Sequence, residues 1–239
     1  MTTATCPLQS PVFVSAIYPL CEESRVQRMF ERFRLLSTFF HVHLFCPPTF
    51  SPPDLENTTL HHIAFEELDT FKILQKTTGL PRIRCTIKDT RDFMILMNAK
   101  TEFIRRLQDA GVAASHYIWI DAGIGQIFKD PAASYKSLCE RLTSNTLPTD
   151  SILIPGCTAP ETRFDVLLTK VCWRFCGGFF VVPAAFVTAF ATTVLDACEE
   201  IWVKSGLAIW EVNVWAFVEA RLPIQWARGD HNESIFNCI

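Results

Sequence analysis

Asp121, Glu211, His231 and Lys100 are the residues of this chain whose types and settings bear chemistry. Asp121 ends the apolar run His116-Tyr117-Ile118-Trp119-Ile120 and precedes Ala122-Gly123. Such a run reads as a buried strand, and an acid just after it sits at the carboxyl end, where α/β sheets place ligands. A carboxylate there needs water, a cation or a donor. Asp121 therefore either holds a metal ion or caps the following turn, and Trp119 is core or wall. Glu211 follows Trp210 in the first turn of a predicted helix, where the backbone dipole alone favours an acid. The alternative is a base, or an acceptor for a substrate hydroxyl. His231 is the only His in the C-terminal half. Neutral imidazole binds divalent cations well, although a loop His is commonly just solvated. Lys100 falls on the apolar stripe of a predicted helix, so its head either snorkels to the edge or meets an anion. Lys88 and Arg91 flank the start of that helix.

Other chemistries lack their motifs. There is no phosphate-loop Gly-x-x-x-x-Gly-Lys-Ser/Thr, no Gly-x-Gly-x-x-Gly after the first strand and no Gly-x-Ser-x-Gly elbow. The ten Cys contain no Cys-x-x-Cys pair. Cys172 and Cys176 lie four apart without a second pair or a nearby His, so packing is favoured over zinc binding. His41, His43, His61 and His62 read as strand-face or edge residues without a role.

The elements that must position these groups follow from hydrophobic spacing. Val12–Tyr18 predicts a strand, and Ser24-x-x-Gln27 resembles a capping box. Val26, Met29, Phe30, Phe33 and Leu36 then mark one helix face. Strands are predicted at Phe40–Cys46 and Leu60–Phe65, with a Pro-rich loop over 47–58 and another loop over 66–90. Asp89 or Thr90 caps a helix over Asp92–Leu107 whose stripe is Phe93, Leu96, Met97, Phe103, Ile104 and Leu107. Strands follow at Tyr117–Asp121 and Ile152–Pro155. Phe179–Leu195 reads as a strand, a break near Pro183 and a helix ended by Gly206. Gly177-Gly178 invites a bulge or a close backbone approach. A last helix spans Ile209–Leu222, and the tail from Gln225 is polar in its middle. The β-α-β opening predicts a parallel sheet with a nucleotide at its carboxyl edge.

Composition agrees with a globular chain. Apolar residues make up 49% and charged residues 20% of its 239 positions. The net charge of −3 and the lack of a basic stripe argue against nucleic acid as partner. Met1–Pro11 carries neither a basic nor a long apolar stretch, so no secretory signal is expected. No transmembrane segment is expected either, and the thiols are expected reduced in a cytoplasmic setting.

Five blocks in order resemble the HtrL/YibB-like proteins. They are Lys88-Asp89-Thr90 with Met94-Ile95-Leu96-Met97-Asn98-Ala99-Lys100; Trp119-Ile120-Asp121-Ala122-Gly123-Ile124; Arg174-Phe175-Cys176-Gly177-Gly178-Phe179-Phe180; Trp210-Glu211-Val212-Asn213-Val214-Trp215-Ala216; and Asp230-His231-Asn232-Glu233-Ser234-Ile235. That family is grouped with glycosyltransferases of the GT-A fold. The resemblance implies one GT-A-like α/β domain over 1–239, a mixed, mostly parallel sheet flanked by helices. Its nucleotide-binding part would cover about 12–125 and its acceptor part about 126–239. It implies transfer of a hexose from a nucleoside-diphosphate sugar, a UDP-sugar, to a glycan hydroxyl, with Mn²⁺ or Mg²⁺. Asp121, a single acid in place of Asp-x-Asp, and His231 would bind the metal. Glu211 would act on the acceptor. Lys88, Asn98, Lys100, Gly177, Gly178, Trp210 and Asn213 would surround the donor. The rivals are a sugar-nucleotide hydrolase or nucleotidyltransferase on a similar sheet, and a non-catalytic sugar- or nucleotide-binding module.

Overall fold

The computed structural model describes residues 10–20, 22–50 and 55–239. Most of the N-terminal segment and residues 51–54 of the expected Pro-rich loop lie outside that range. In chain order the elements are β1 (Val12–Ala16), α1 (Glu23–Ser37), β2 (Val42–Cys46), β3 (Thr58–His62), α2 (Asp69–Leu74), α3 (Arg91–Asn98), α4 (Lys100–Asp109), β4 (His116–Ile120), α5 (Pro131–Ser144), β5 (Ile152–Gly156), α6 (Phe164–Thr169), β6 (Phe179–Pro183), α7 (Val187–Ser205), α8 (Glu211–Val218) and β7 (Ile224–Arg228).

The strands form one sheet in the order β3-β2-β1-β4-β6-β5-β7. Every pairing is parallel except those of β6, which runs antiparallel to both β4 and β5. This is the expected mixed, mostly parallel sheet between helices. Neighbouring residues on a strand point to opposite faces, and the core divides accordingly. Val14, Tyr117, Trp119, Ile154 and Phe180 pack on one face with α3, α4, α7 and α8. Phe13, Ile118, Ile120, Leu153 and Phe179 pack on the other with α1 and α5. β4, β5 and β6 are buried along their whole length, as strands covered on both faces must be.

The reversed strand creates the site. Because β6 runs against its neighbours, its amino end lies at the edge where β4, β5 and β7 finish. Ile120, the last residue of β4, pairs with Phe179, the first of β6. The segment Cys176–Gly178 is thereby delivered beside Asp121, and the Asp121 amide donates to the Gly178 carbonyl at 2.9 Å.

Several expectations need correction. Ser24 does not cap α1; the N-cap is Glu22, without a side-chain bond. β3 starts at Thr58, two residues before the expected Leu60. The expected loop over 66–90 contains α2. The helix expected over Asp92–Leu107 is two, α3 and α4, separated at Ala99, with Thr90 accepting from the Phe93 amide as the cap. The Asn98 side chain donates back to the Met94 carbonyl at 2.8 Å, a bond of the kind that bends helices. Met94, Ile95 and Asn98 therefore face inward in α3, while Phe93, Leu96 and Met97 are only half-buried. The last helix is shorter than expected and ends at Val218. The polar tail opens with a strand, β7, at the edge of the sheet. Gly206 does end α7, in the left-handed conformation (φ 73°) that suits glycine. Among the described residues no helix is long and apolar enough to cross a membrane.

Candidate functional site

Lys100 is the hinge of the site. It opens α4 and is 1% exposed, among the largest fully buried side chains of the protein. An isolated ammonium at that depth is costly. Here all three of its donors are used: Nζ donates to Glu211 Oε1 at 3.0 Å, to the Gly177 carbonyl at 2.8 Å and to Asp121 Oδ2 at 3.4 Å, with Asp121 Oδ1 at 3.1 Å. Burial would depress the lysine's pKa, but the Asp121 and Glu211 charges outweigh it and hold it above its ordinary value. Lys100 is thus a fixed cation between two carboxylates, and the cluster carries one net negative charge.

Different elements supply the three side chains. Asp121 follows β4, the central strand; Glu211 begins α8 after the Trp210 N-cap; Lys100 follows the α3–α4 break. Asp121 is further fixed by Trp119, whose indole Nε1 donates to Oδ1 at 2.7 Å. Trp119 is itself stacked between Phe103 and Phe180, with centroids at 6.1 and 6.2 Å. It is a core residue with one polar atom directed at the site. The Asp121 side chain remains 34% exposed, whereas that of Glu211 is 9% exposed. Asp121 is the acid that faces solvent, and Glu211 is the acid that anchors Lys100. Among the described residues none donates to Glu211 Oε2.

The two glycines have unequal reasons to be there. A methyl group on Gly177 would collide with Glu211 Oε1, so the backbone must pass bare against the carboxylate. A methyl on Gly178 would reach Asp121 Oδ2 only at 3.5 Å, an ordinary contact.

The remaining predicted residues fall into three settings. Asn98 and Asn213 are buried and bonded within the protein. Asn98 ties α3 to the Ile209 carbonyl, and Asn213 accepts from the Cys172 amide and donates to the Leu167 and Lys170 carbonyls. Trp210 is buried at the head of α8. Lys88 is exposed, its Nζ 4.9 Å above the Phe93 ring. His231 is not bonded to the Lys100 cluster. It follows β7 and lies beside Cys176, which precedes the Gly178 carbonyl that Asp121 bonds. Its neighbours are Asp230, at 3.6 Å, and Trp173, whose ring meets it edge-on at 4.5 Å.

Trp173 and Cys157 are not singled out by the sequence, and Cys176, expected to pack without a nearby His, has His231 beside it. Trp173 is 40% exposed and has φ 50°, a conformation rare for a bulky residue. In it the Trp173 carbonyl accepts from the Cys157 and Thr158 amides. Cys157 and Cys176 bring their sulfurs to 3.6 Å. No local spacing reveals that pair. The available signal is that both residues flank strands that terminate at the same edge.

No protein-family model and no curated protein matches the chain. Among solved structures it is similar to the crystal structure of a glycosyltransferase involved in the glycosylation of the major capsid of PBCV-1. The identity is 10%, the TM-score 0.46, and the alignment covers 92% of this chain and 82% of that one.

Proposed function

We propose that the chain is a glycosyltransferase that moves a hexose from a UDP-sugar to a glycan hydroxyl. The observation that supports it best is the convergence of Lys100, Asp121 and Glu211 at the carboxyl edge of the sheet, beside two glycines. The five sequence blocks similar to HtrL/YibB-like proteins supply each member of that cluster, which favours a shared donor site over coincidence.

In this reading residues up to about 125 hold the nucleotide and the remainder shapes the acceptor side. Asp121 meets the donor. Trp119 holds its Oδ1 and Lys100 donates to its Oδ2, and the side chain still opens to solvent. That suits a hard divalent ion, which takes one or two carboxylates and completes its shell with phosphate oxygens and water. Mn²⁺ or Mg²⁺ bound there would offset the charge that builds on the departing diphosphate. Lys100 contributes its charge to the same edge and holds both carboxylates in place. Its donors are spent on the protein, so it positions rather than grips. Gly178 leaves the approach to Asp121 open. Lys88 adds positive charge from the exposed segment before α3. Glu211 Oε2 takes the proton of the acceptor hydroxyl, or orients it. Asn98 and Asn213 keep α3 and α8 in register beneath. His231 reaches the same edge from β7, on the side of the thiols.

Calorimetric titration of UDP, with and without Mn²⁺, tests the reading. Metal-strengthened binding is the expected result. Absence of binding in both conditions overturns it. A screen of sugar nucleotides for released UDP, with and without a glycan acceptor, then separates transfer from hydrolysis.

A further inference from the structure

Three ligand atoms of a kind favoured by thiophilic metals meet on the same edge, on the β5–β7 side of the Cys176–Gly178 segment. Cys157 Sγ, Cys176 Sγ and a ring nitrogen of His231 all lie within 4.8 Å of one another. We propose that Cys157, Cys176 and His231 form a binding site for a thiophilic divalent cation of the zinc class, separate from the Asp121 site.

Three features carry this. The first is spacing. Two thiolates on a tetrahedral zinc, each with a Zn–S distance of about 2.3 Å, stand about 3.8 Å apart. The two sulfurs here are 3.6 Å apart, so the sulfur edge of the tetrahedron is already set. The second is rigidity. The Cys176 amide donates to the Pro155 carbonyl at 2.7 Å, the Cys157 amide to Trp173 at 3.1 Å, and the Gly229 amide to Gly156 at 2.9 Å. These bonds pin the three chain segments to one another where β5 and β7 end and just before β6 begins. Trp173 holds its unfavourable φ to complete that frame. The third is a fourth position. Asp230 Oδ1 lies 3.4 Å from Cys157 Sγ and 3.6 Å from His231 Nδ1. Asp230 lies outside the three-atom cluster, so a water beside it gives the fourth ligand.

Burial is graded in the sense such a site requires. Cys176 is buried, Cys157 half-buried and His231 exposed, so the ion enters from the His231 side. The ligand set of two sulfurs and one imidazole selects zinc-class ions over Mg²⁺ or Mn²⁺, which prefer oxygen. Binding converts two thiols to thiolates and releases their two protons to solvent. Cys85, exposed on the segment before α3, has no part in it.

Co²⁺ reports on the site, because thiolate ligation gives a sulfur-to-cobalt charge-transfer absorption. The full chain, reduced and stripped of metal, is titrated with Co²⁺ in the absence of nucleotide. The expected result is one ion per chain, the thiolate absorption, and its loss when Zn²⁺ is added. Cys157→Ser should at least halve the absorption and Cys85→Ser should leave it intact. His231→Ala, on an exposed turn where folding is not at risk, should weaken binding by at least about tenfold. A wild type without the thiolate absorption overturns the proposal. So does an absorption and affinity undiminished in both Cys157→Ser and His231→Ala. The site does not rest on the transferase reading: the cobalt signal needs no UDP, and Asp121→Asn should leave it unchanged while removing UDP binding.

Discussion

Two adjoining clusters on one sheet edge solve the problem of polar groups in opposite ways. At β4, Lys100 is placed between Asp121 and Glu211, and the cation that two carboxylates require is built into the chain. At β5 and β7, two thiols and an imidazole gather without a cation of their own. The first cluster is compensated except for one net negative charge and opens to solvent mainly through Asp121. The second is open-ended. The contrast teaches that convergence alone does not define a ligand: charge balance decides what each cluster still lacks.

Removing the built-in cation should have the largest effect. Lys100→Met leaves the buried Glu211 carboxylate without its cation, beside Asp121, and should cost about 3–5 kcal/mol of stability, read from urea unfolding. A loss below about 1 kcal/mol would mean that the carboxylates do not depend on the lysine. Asp121→Asn keeps an acceptor for the Trp119 indole and should destabilise less than Lys100→Met. It should nonetheless lower UDP release by a factor on the order of 10² to 10³, measured by product formation at one fixed donor concentration. Full activity in that variant would assign the edge to binding alone or to another chemistry.

The glycine pair sharpens the comparison within the first cluster. Gly177→Ala forces Glu211 away from Lys100 and should cost about 1–3 kcal/mol. Gly178→Ala makes only an ordinary contact with Asp121 and should cost less than Gly177→Ala in the same unfolding experiment. Equal costs would show that Glu211 yields freely.

The smallest expected effect is in the pH profile. Lys100's pKa is held above its ordinary 10.5, so its contribution is fully present below that value and disappears only in strong alkali. His43 behaves in the opposite sense. Burial first, then the neighbouring His61 and His41, push its pKa from 6.5 down to about 4. The unfolded chain therefore takes up the proton first, and stability should fall as pH drops from about 6.5 towards 4. His43→Gln should flatten that slope in thermal unfolding followed across the range. An unchanged slope would remove His43 as its source.

The strands and helices with clear periodicity were legible from residue spacing. The five-residue core strands, the α1 face at Val26, Phe30, Phe33 and Leu36, and the Gly206 stop all follow from local rules. The break at Ala99 was not legible, because it arises where Asn98 turns its amide to Met94 and Ile209, a tertiary choice. β7 was hidden because an edge strand has a mixed face: its residues are half-buried or exposed. α5 carries a readable signal, Asp130 capping Pro131 at the first helical position, yet its alternation is weak. For the site, the apolar setting of Lys100 was the strongest clue, since a lysine on a buried stripe demands an anion and two are present. The partners of His231 were not legible, because sheet order separates it from Asp121 and joins it to Cys157 and Cys176, which are distant in sequence.

The proposed function requires the Lys100–Asp121–Glu211 edge to receive a nucleoside diphosphate. Calorimetric titration of UDP with Mn²⁺ into the wild-type protein and into Asp121→Asn tests it most directly. Binding by the wild type and its loss in the variant is the predicted result. Equal binding by both proteins, or binding by neither, would contradict it.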